Sequence, residues 1–324
     1  MNYLITGSAG FIGSHLSEAL LKMGHEVVGL DNLNQFYDPQ LKHDNLVAVE
    51  KTSEACKGEF VFYEGDIRHQ DQLKQILRQH GIDVVIHLAA MAGVRPSFEN
   101  PRLYYDINVS GTVNLLEECK NAGVTRVVFA SSSSVYGNQE KVPFSEADAV
   151  DEPISPYAAT KRTGEITCSL YSKMFAMQIA ALRFFTVYGP RQRPDLAICK
   201  FTRLLKEGRK LPVYGDGTKA RDFTYIDDII DGILKTITWV EGQEKPVFDI
   251  FNLGESQTTN VNTLVETLSK ATGKPADVQY LPDMPGDVKQ TFADVSKAKS
   301  VLGYDPQTKI EEGLKKYVEW TKGL

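Results

Sequence analysis

The sequence has little of what disulfide frameworks and metal sites require. Its 324 residues include four cysteines, none in a C-x-x-C pair, and six histidines, none in an H-x-x-x-H pair. We therefore expect no metal site, and we expect thiols that are reduced and mostly buried, as in the cytosol. The cysteines are Cys56, Cys119, Cys168 and Cys199.

Long apolar runs and an excess of positive charge are also lacking. No run approaches the ~20 apolar residues of a membrane span. The start of the chain shows no basic segment followed by an apolar one, so no signal peptide is expected. Acidic residues outnumber basic ones by 42 to 36, and a net charge of -6 disfavours a nucleic-acid partner. We expect a cytoplasmic protein without nucleic-acid or membrane partners.

A glycine-rich loop separates the first apolar run, Tyr3–Thr6, from a segment with helical periodicity over 14–23. Its glycines are Gly7, Gly10 and Gly13, so the spacing is G-x-x-G-x-x-G rather than G-x-G-x-x-G. A strand, a glycine loop and a helix in this order bind the pyrophosphate of a dinucleotide, because the backbone and the helix amides approach the phosphates. On this motif alone, a plain turn remains an alternative.

Two acidic residues end predicted strands. Asp31 follows the strand Glu26–Leu30 and lies ~20 residues beyond the glycines, where a carboxylate binds the ribose 2′-hydroxyl. Because a carboxylate repels a 2′-phosphate, Asp31 favours NAD over NADP. Asp66, after a strand that begins at Phe60, is a candidate for contact with the adenine edge. A strand-end cap and a turn-forming aspartate remain the alternatives.

The next two strands end in small or polar residues. Asp83–Ala90 is apolar throughout, which predicts a strand buried on both faces, with His87 as a core residue. The segment after it carries Arg95, a candidate anion ligand or an ordinary surface arginine. The strand Arg126–Ala130 leads into four serines at 131–134, whose hydroxyls bind a substrate or form a turn.

Tyr157 and Lys161 are spaced i, i+4, which places both side chains on one face of a helix. Pro156 suits the first position of that helix because it has no N–H to leave unpaired. A neighbouring ammonium lowers the pKa of a phenol, so the pair can transfer a proton. Such pairs also occur by chance on helices, so the other motifs determine whether this pair is interpreted as functional.

The alternation of strands and helices predicts an α/β fold with a doubly wound parallel sheet. Segments 32–42 and 91–97 are predicted as loops, and 104–122 as one long helix. From Thr186 onward the sequence is rich in turn-forming residues. This change indicates a smaller, discontinuous second domain, with the substrate in the cleft beside the sheet edge. Phe223–Val240 is expected to return to the main sheet, with a helix over 227–238.

Together and in this order, these motifs resemble the extended short-chain dehydrogenase/reductase family over essentially the whole chain. The resemblance rests on Gly7-x-x-Gly10-x-x-Gly13, Asp31, the serine run before Tyr136-Gly137, and Tyr157-x-x-x-Lys161. Within this family, segments 31–42, 92–95 and 183–197 resemble the nucleotide-sugar epimerases that act on UDP-glucuronate. The resemblance implies a Rossmann domain for NAD over 1–185 and 222–256, and a nucleotide-sugar-binding domain over 186–221 and 257–324.

The implied reaction is NAD-dependent 4-epimerisation of a UDP-sugar, from UDP-glucuronate to UDP-galacturonate, through a transient 4-keto sugar. Tyr157 is the implied general base, with Lys161 beside it and the Ser132 hydroxyl on the sugar 4-OH. The implied cofactor-binding residues are Gly7, Gly10, Phe11, Ile12, Gly13, Asp31, Asn32, Asp66, Ile67, Leu88, Ala89, Ala90, Asn108, Tyr157, Lys161 and Phe184. The implied substrate-binding residues are Arg95, Ser132, Ser133, Ser134, Tyr157, Thr186, Arg193, Val213, Tyr214, Arg221 and Asp287. The resemblance also implies a homodimer through the helices at 104–122 and 157–174.

Ser133 and Ser134 separate this chain from similar enzymes. Sugar 4,6-dehydratases carry an Asp-Glu pair in this segment and UDP-glucuronate decarboxylases a Glu, so both reactions are disfavoured here. Thr186 stands where galactose epimerases usually have Asn, which fits a different group at sugar C6. A UDP-glucose/UDP-galactose 4-epimerase is the nearest alternative, and a UDP-glucuronate decarboxylase or a non-catalytic NAD-binding protein are further ones.

Overall fold

The computed structural model describes residues 1–283 and 288–323. The strands are β1 (Asn2–Thr6), β2 (Glu26–Asp31), β3 (Glu59–Glu64), β4 (Val84–His87), β5 (Arg126–Ser132), β6 (Gln178–Phe184), β7 (Thr186–Tyr188), β8 (Leu211–Tyr214), β9 (Ala220–Arg221), β10 (Phe223–Tyr225), β11 (Val247–Leu253), β12 (Thr259–Asn260) and β13 (Val278–Leu281). The α-helices are α1 (Phe11–Lys22), α2 (Pro39–Ala55), α3 (Gln70–His80), α4 (Val94–Glu99), α5 (Pro101–Tyr105), α6 (Thr112–Ala122), α7 (Pro156–Phe175), α8 (Ala197–Lys206), α9 (Ile226–Glu241), α10 (Val261–Thr272), α11 (Ser296–Leu302) and α12 (Ile310–Trp320).

The main sheet has seven strands in the order β11-β6-β5-β4-β1-β2-β3. From β1 the chain builds outward to β3, and then returns to the other side of β1 with β4. The predicted doubly wound sheet is confirmed. Ligands of such sheets bind at the carboxyl ends of the strands where the direction of winding reverses. That point lies between β1 and β4, which pair in parallel from Tyr3↔Val84 to Thr6↔His87.

The central strands are buried because their side chains are apolar on both faces. Leu4 and Ile5 of β1 and Val85 of β4 have no exposed surface, as expected for strands covered by helices on both sides. Two of the helices that lead into central strands stop where the backbone turns left-handed. Gly81 and Gly123, which follow α3 and α6, have φ of 55° and 77°. These stops return the chain to the sheet, so that the next strand begins three residues after each glycine.

Two loop predictions were wrong in part, and one predicted helix changes type along its length. Segment 32–42 is only partly a loop, because Asp38 caps α2 by accepting a hydrogen bond from Gln40 N at 3.0 Å. Segment 91–97 is also only partly a loop, because α4 begins at Val94. This helix ends at Glu99, since Asn100 precedes a proline and a residue before proline disfavours helix. The predicted helix over 104–122 contains a π-helical stretch over Asp106–Gly111.

The expected return of 223–240 to the main sheet was wrong for its strand, although residues from Ile230 onward belong to the unit of the main sheet. β10 pairs in parallel with β7, and the two form a separate two-stranded sheet. The three residues of β10 are β-branched or aromatic and suit the edge of either sheet. Their pairing partner therefore depends on tertiary context. The helix that follows, α9, was predicted within a few residues of its bounds.

The chain divides into two compact units. The first comprises Met1–Gly137, Ala149–Arg183 and Ile230–Phe251, and holds β1 to β6. The second comprises Asn138–Asp148, Phe184–Ile229 and Asn252–Leu324, and holds the pairs β10–β7, β12–β9 and β13–β8. Which ligand each part of the chain binds stays a prediction. Among the described residues, no helix has both the length and the apolar character to cross a membrane.

Candidate active site

The glycine loop forms a close-packed turn at the reversal point of the sheet. Gly7 has φ of 77°, and a Cβ there would lie 2.9 Å from the backbone nitrogen of Ala89. A Cβ on Gly13 would lie 2.2 Å from the carbonyl oxygen of Gly7. Gly10 precedes α1 and no side chain caps that helix, so its first amides face the loop. The cradle fits a diphosphate held by backbone N–H groups.

Asp31 lies at the end of β2, beside the glycine loop. Its carboxylate is buried, and Oδ1 accepts hydrogen bonds from Leu33 N at 2.9 Å and from Lys42 Nζ at 3.3 Å. Lys42 extends from α2 and lies over the Tyr37 ring, with Nζ 5.4 Å from the centroid. Lys42 could not be found from the sequence, because nothing in a spacing of eleven residues indicates that the two side chains meet. Lys42 therefore helps to orient the carboxylate predicted to bind the ribose.

Asp66 is fixed by its neighbours. Its carboxylate accepts from Asn32 Nδ2 at 2.8 Å and from Nε and Nη2 of Arg68 at 3.0 and 2.8 Å. Burial raises the pKa of Asp66, but the hydrogen bonds from Arg68 and Asn32 outweigh it and lower the pKa to about 2. The group is therefore a carboxylate at neutral pH. Its contact with adenine, and that of the buried Ile67, stay predictions.

A buried polar chain runs beneath the strand ends. His87 is 2% exposed, with Nδ1 2.7 Å from Thr6 Oγ1 and Nε2 2.9 Å from Thr112 Oγ1. Burial, followed by the charge of Lys161, lowers the pKa of His87 to about 3. His87 is thus a neutral core residue with both ring nitrogens partnered, as the sequence indicated.

Asn108, predicted to bind the cofactor, lies in the π-helical stretch. Its Oδ1 accepts from Met91 N at 2.8 Å, while Nδ2 donates to Met91 O at 3.0 Å and to Thr160 Oγ1 at 3.0 Å. The side chain thereby holds the segment that leaves β4 and joins it to α7. The structure gives Asn108 this positioning role, and direct contact with a cofactor stays a prediction.

Tyr157 and Lys161 lie in the first two turns of α7. Ser155 caps this helix by accepting a hydrogen bond from Ala158 N at 3.1 Å, and Pro156 is its first residue. Tyr157 is half-buried, and its ring meets the Tyr104 ring edge to face, with centroids 6.2 Å apart. The predicted helix start is confirmed, and the structure adds the cap at Ser155.

Lys161 is buried against the end of β5. Nζ donates to the carbonyl oxygen of Ala130 at 2.7 Å and lies 6.0 Å from the centroid of the Tyr157 ring. Burial lowers the pKa of Lys161 to about 8, against the opposing effects of Cys168 and Glu165. The amine is protonated at neutral pH and titrates within the range in which enzymes work.

Ser132 ends β5, two residues after the carbonyl that Lys161 contacts. Its Oγ accepts a hydrogen bond from Ser134 N at 3.2 Å, which caps the 3-10 turn Ser133–Tyr136. Ser134 Oγ is buried and has no hydrogen-bond partner among the described residues. The structure therefore places hydroxyls and an ammonium around the end of one strand, which is an arrangement suited to moving a proton to and from a substrate oxygen.

The remaining cofactor and substrate candidates lie in different surroundings. Leu88, Ala89 and Ala90 follow β4, Phe11 and Ile12 begin α1, and Arg95 is an exposed residue of α4. In the second unit, Phe184 and Val213 are buried, Thr186 begins β7, Tyr214 ends β8, Arg221 lies in β9, and Arg193 forms an ion pair with Asp195 at 2.8 Å. Asp287 lies outside the described residues.

Asp222, which the sequence analysis passed over, fixes the strand of Arg221. Its carboxylate has no exposed surface and accepts hydrogen bonds from the backbone amides of Glu255, Ser256 and Ala293 at 2.8 to 3.1 Å. Burial raises the pKa of Asp222 to about 6, against these hydrogen bonds. No sequence motif indicates this role, because the three amides come from two distant segments.

Comparisons with known proteins show the family of the chain. A profile of the family described as GDP-mannose 4,6 dehydratase matches residues 4–317. The chain is 46% identical over 322 residues to UDP-glucuronate 4-epimerase of Thermodesulfobacterium geofontis, covering 99% of this chain and 96% of the relative. It is 44% identical over 334 residues to UDP-glucuronate 4-epimerase 1 of Arabidopsis thaliana, covering 99% and 76%.

A solved structure is similar over the same length. UDP-glucuronic acid 4-epimerase from Bacillus cereus, in complex with UDP-glucuronic acid and NAD, superposes with a TM-score of 0.91 at 39% identity, covering 100% of this chain and 99% of that one. The fold and the glycine loop define an α/β dinucleotide-binding enzyme of the short-chain dehydrogenase/reductase class. Within that class, the chain belongs to the GDP-mannose 4,6-dehydratase family. The resemblance inferred from the motifs is confirmed.

Proposed function

We propose that this protein is an NAD-dependent UDP-sugar 4-epimerase whose substrate is UDP-glucuronate and whose product is UDP-galacturonate. The observation that carries the proposal is the pair of half-buried Tyr157 and buried Lys161 at the end of β5, followed by serines rather than acids at positions 133 and 134. Relatives of 46% and 44% identity named as UDP-glucuronate 4-epimerases support the choice of substrate. We also propose a cytoplasmic location, which the free cysteines support.

The residues present fit NAD. The cradle at Gly7 and Gly13 has no room for side chains and accommodates the diphosphate, while the Asp31 carboxylate suits a ribose diol and repels a 2′-phosphate. Bound there, NAD supplies reversible hydride exchange at C4 of the sugar, so the reaction has no net redox change.

The chain's own residues move the proton and hold the oxygen. Tyr157, as phenolate, removes the proton from the sugar 4-OH and later returns it from the same face of the site. The Lys161 ammonium, desolvated and 6.0 Å from the phenol ring centroid, stabilises the phenolate. Ser132, at the end of β5, donates to the same sugar oxygen.

The serines at 133 and 134 explain why epimerisation, rather than elimination or loss of CO₂, follows oxidation at C4 of the sugar. A 4,6-elimination needs an acid and a base near C5 and C6, and Ser133 and Ser134 provide neither. The 4-keto form of glucuronate is a β-keto acid that loses CO₂ unless its carboxylate is held in an unreactive orientation. The unpartnered Ser134 hydroxyl is suited to donate to that carboxylate. Thr186, Arg95 and Arg193 are the other proposed contacts.

A substrate panel followed by proton NMR tests this function. The purified protein is expected to convert UDP-glucuronate to UDP-galacturonate without added NAD⁺, because the cofactor is regenerated in each cycle. UDP-glucose and UDP-galactose serve as the neutral controls. UDP-xylose as the main product, or turnover of UDP-glucose alone, would refute the proposed substrate and reaction.

Asp31→Ser is expected to shift cofactor preference from NAD towards NADP by at least about tenfold, measured as the ratio of the two dissociation constants. The substitution removes the charge that repels a 2′-phosphate. It also frees Lys42, whose Nζ lies 3.3 Å from Asp31 Oδ1, to pair with that phosphate. Asp31→Ser combined with Lys42→Met is the matched control, and it should lose most of the gain. An unchanged ratio would place the ribose elsewhere.

We further propose that the protein is a homodimer through α7. Ile166, Leu170 and Met174 follow one another at intervals of four residues and are 55%, 50% and 62% exposed. Such an apolar stripe on a charged chain is typical of a helix that packs against a second copy. Sedimentation of a monomer at micromolar concentration would contradict this.

A further inference from the structure

Glu165 is a charged residue in the interior of the first unit. It lies one turn beyond Lys161 on α7, and its side chain has no exposed surface. Oε1 accepts hydrogen bonds from Ser131 Oγ at 2.6 Å and from Arg183 Nε at 2.8 Å, and Oε2 accepts from Arg183 Nη2 at 2.9 Å and Arg162 Nη1 at 3.2 Å. Both carboxylate oxygens are therefore fully engaged, in a bidentate pair with a buried arginine.

These contacts join three elements at one point. Ser131 belongs to β5, Arg183 to its neighbour β6, and Glu165 to α7. Ser131 follows Ala130, whose carbonyl accepts the hydrogen bond from Lys161, and it precedes Ser132. α7 is thus hydrogen-bonded to two consecutive residues of β5, through the ammonium of Lys161 and the carboxylate of Glu165.

From this geometry we infer that Glu165 is a positioning residue for the epimerisation. With Ser131 and Arg183, it fixes α7 against β5 so that Tyr157 and Ser132 meet the same substrate oxygen and Lys161 stays beside the phenol. The inference rests on the roles proposed above for Tyr157 and Lys161. A displacement of about 1 Å between reacting groups lowers turnover up to a hundredfold, so a fixed helix matters to the reaction itself.

Glu165 also sets the charge around Lys161. Burial lowers the pKa of Lys161, whereas Cys168 and Glu165 raise it. Cys168 is a buried thiol whose own pKa is raised by burial, and His87, across from Lys161 on β4, is neutral. Glu165 is therefore the anion that favours the ammonium near neutral pH, although Arg183 and Arg162 partly offset its charge.

Glu165→Gln tests the inference, because it keeps the shape of the side chain and removes its charge. In the full-length enzyme, kcat for UDP-glucuronate is expected to fall at least about tenfold while KM stays within about twofold. The fall of kcat at high pH should move about one pH unit lower, because Lys161 loses its proton earlier. Ser131→Ala removes one hydrogen bond and leaves the charge, so it should lower kcat without moving the pH profile.

Asp228→Asn is the matched control. Asp228 is also a buried carboxylate, which accepts from the backbone amides of Gln307 and Thr308 at 3.0 Å, and it should lower stability alone. The inference is overturned if Glu165→Gln lowers stability but keeps the kcat and pH profile of the wild type. If Glu165→Gln does not fold, an unchanged kcat in Ser131→Ala overturns it. Failure of the proposed function can be distinguished from failure of this inference, because in that case the wild type itself would not turn over UDP-glucuronate.

Discussion

Tyr157→Phe is expected to lower kcat for UDP-glucuronate by about a thousandfold or more. The phenol is the proposed acid and base at the sugar 4-OH, and the variant keeps the ring that packs against Tyr104 while removing the hydroxyl. The protein should still bind NAD, because the cradle at Gly7 and Gly13 is untouched. Turnover is measured by NMR, and bound cofactor by its release on denaturation.

Tyr3→Phe is the matched control for this loss. Tyr3 is 2% exposed and donates to Glu241 at 2.8 Å, so its variant also removes a buried phenolic hydroxyl. It lies near the start of β1, at the opposite end of that strand from the glycine loop. Its kcat should match the wild type. Near-normal turnover in Tyr157→Phe would remove the phenol from the mechanism.

The fold could be predicted from the sequence because its signals are local. Apolar runs such as Val84–His87 and the glycine stops after helices need only neighbouring residues to specify strands and turns. The strand order follows from alternation with helices. The partner of β10 could not be predicted, because three residues carry no information on which strand they join.

The candidate site could likewise be predicted only where residue type and spacing carry a signal. Gly7, Asp31, Tyr157 and Lys161 carry meaning through their types and spacing, since phosphate binding and proton transfer require those groups. Glu165 carries no such signal, because a glutamate in a helix reads as an exposed charge. Only the structure shows that Ser131 and Arg183, which are distant in sequence from one another, enclose it.

The local environment of Lys161 also had to be read from the structure. The sequence indicates that an ammonium stands near the phenol, and it says nothing of how far that ammonium is removed from water. Its burial lowers the pKa to about 8, which brings the titration of the lysine close to neutral pH. Lys161 therefore titrates where both activity and stability are measured.

Lys161→Met is expected to lower kcat by about a hundredfold or more. The variant keeps the length of the side chain and loses both the positive charge and the donor to Ala130 O. Without the cation, the phenolate of Tyr157 is less favoured at neutral pH, so the remaining activity should rise with pH. The wild type should instead lose activity above about pH 8, where its ammonium deprotonates. Parallel pH profiles for the two proteins would contradict the assignment.

Stability should respond to pH in the opposite sense from activity. The pKa of Lys161 is lower in the folded protein, at about 8, than its ordinary value of 10.5, so between these values the unfolded chain binds more protons. The contribution of Lys161 to the free energy of unfolding therefore rises with pH across that window, by at most about 1.4 kcal/mol per pH unit. Cys119, whose pKa burial raises, destabilises both proteins alike as pH rises. The free energy of unfolding of the wild type minus that of Lys161→Met, measured with denaturant, cancels the Cys119 thiol, and it should rise from pH 8 to pH 10 while wild-type kcat falls.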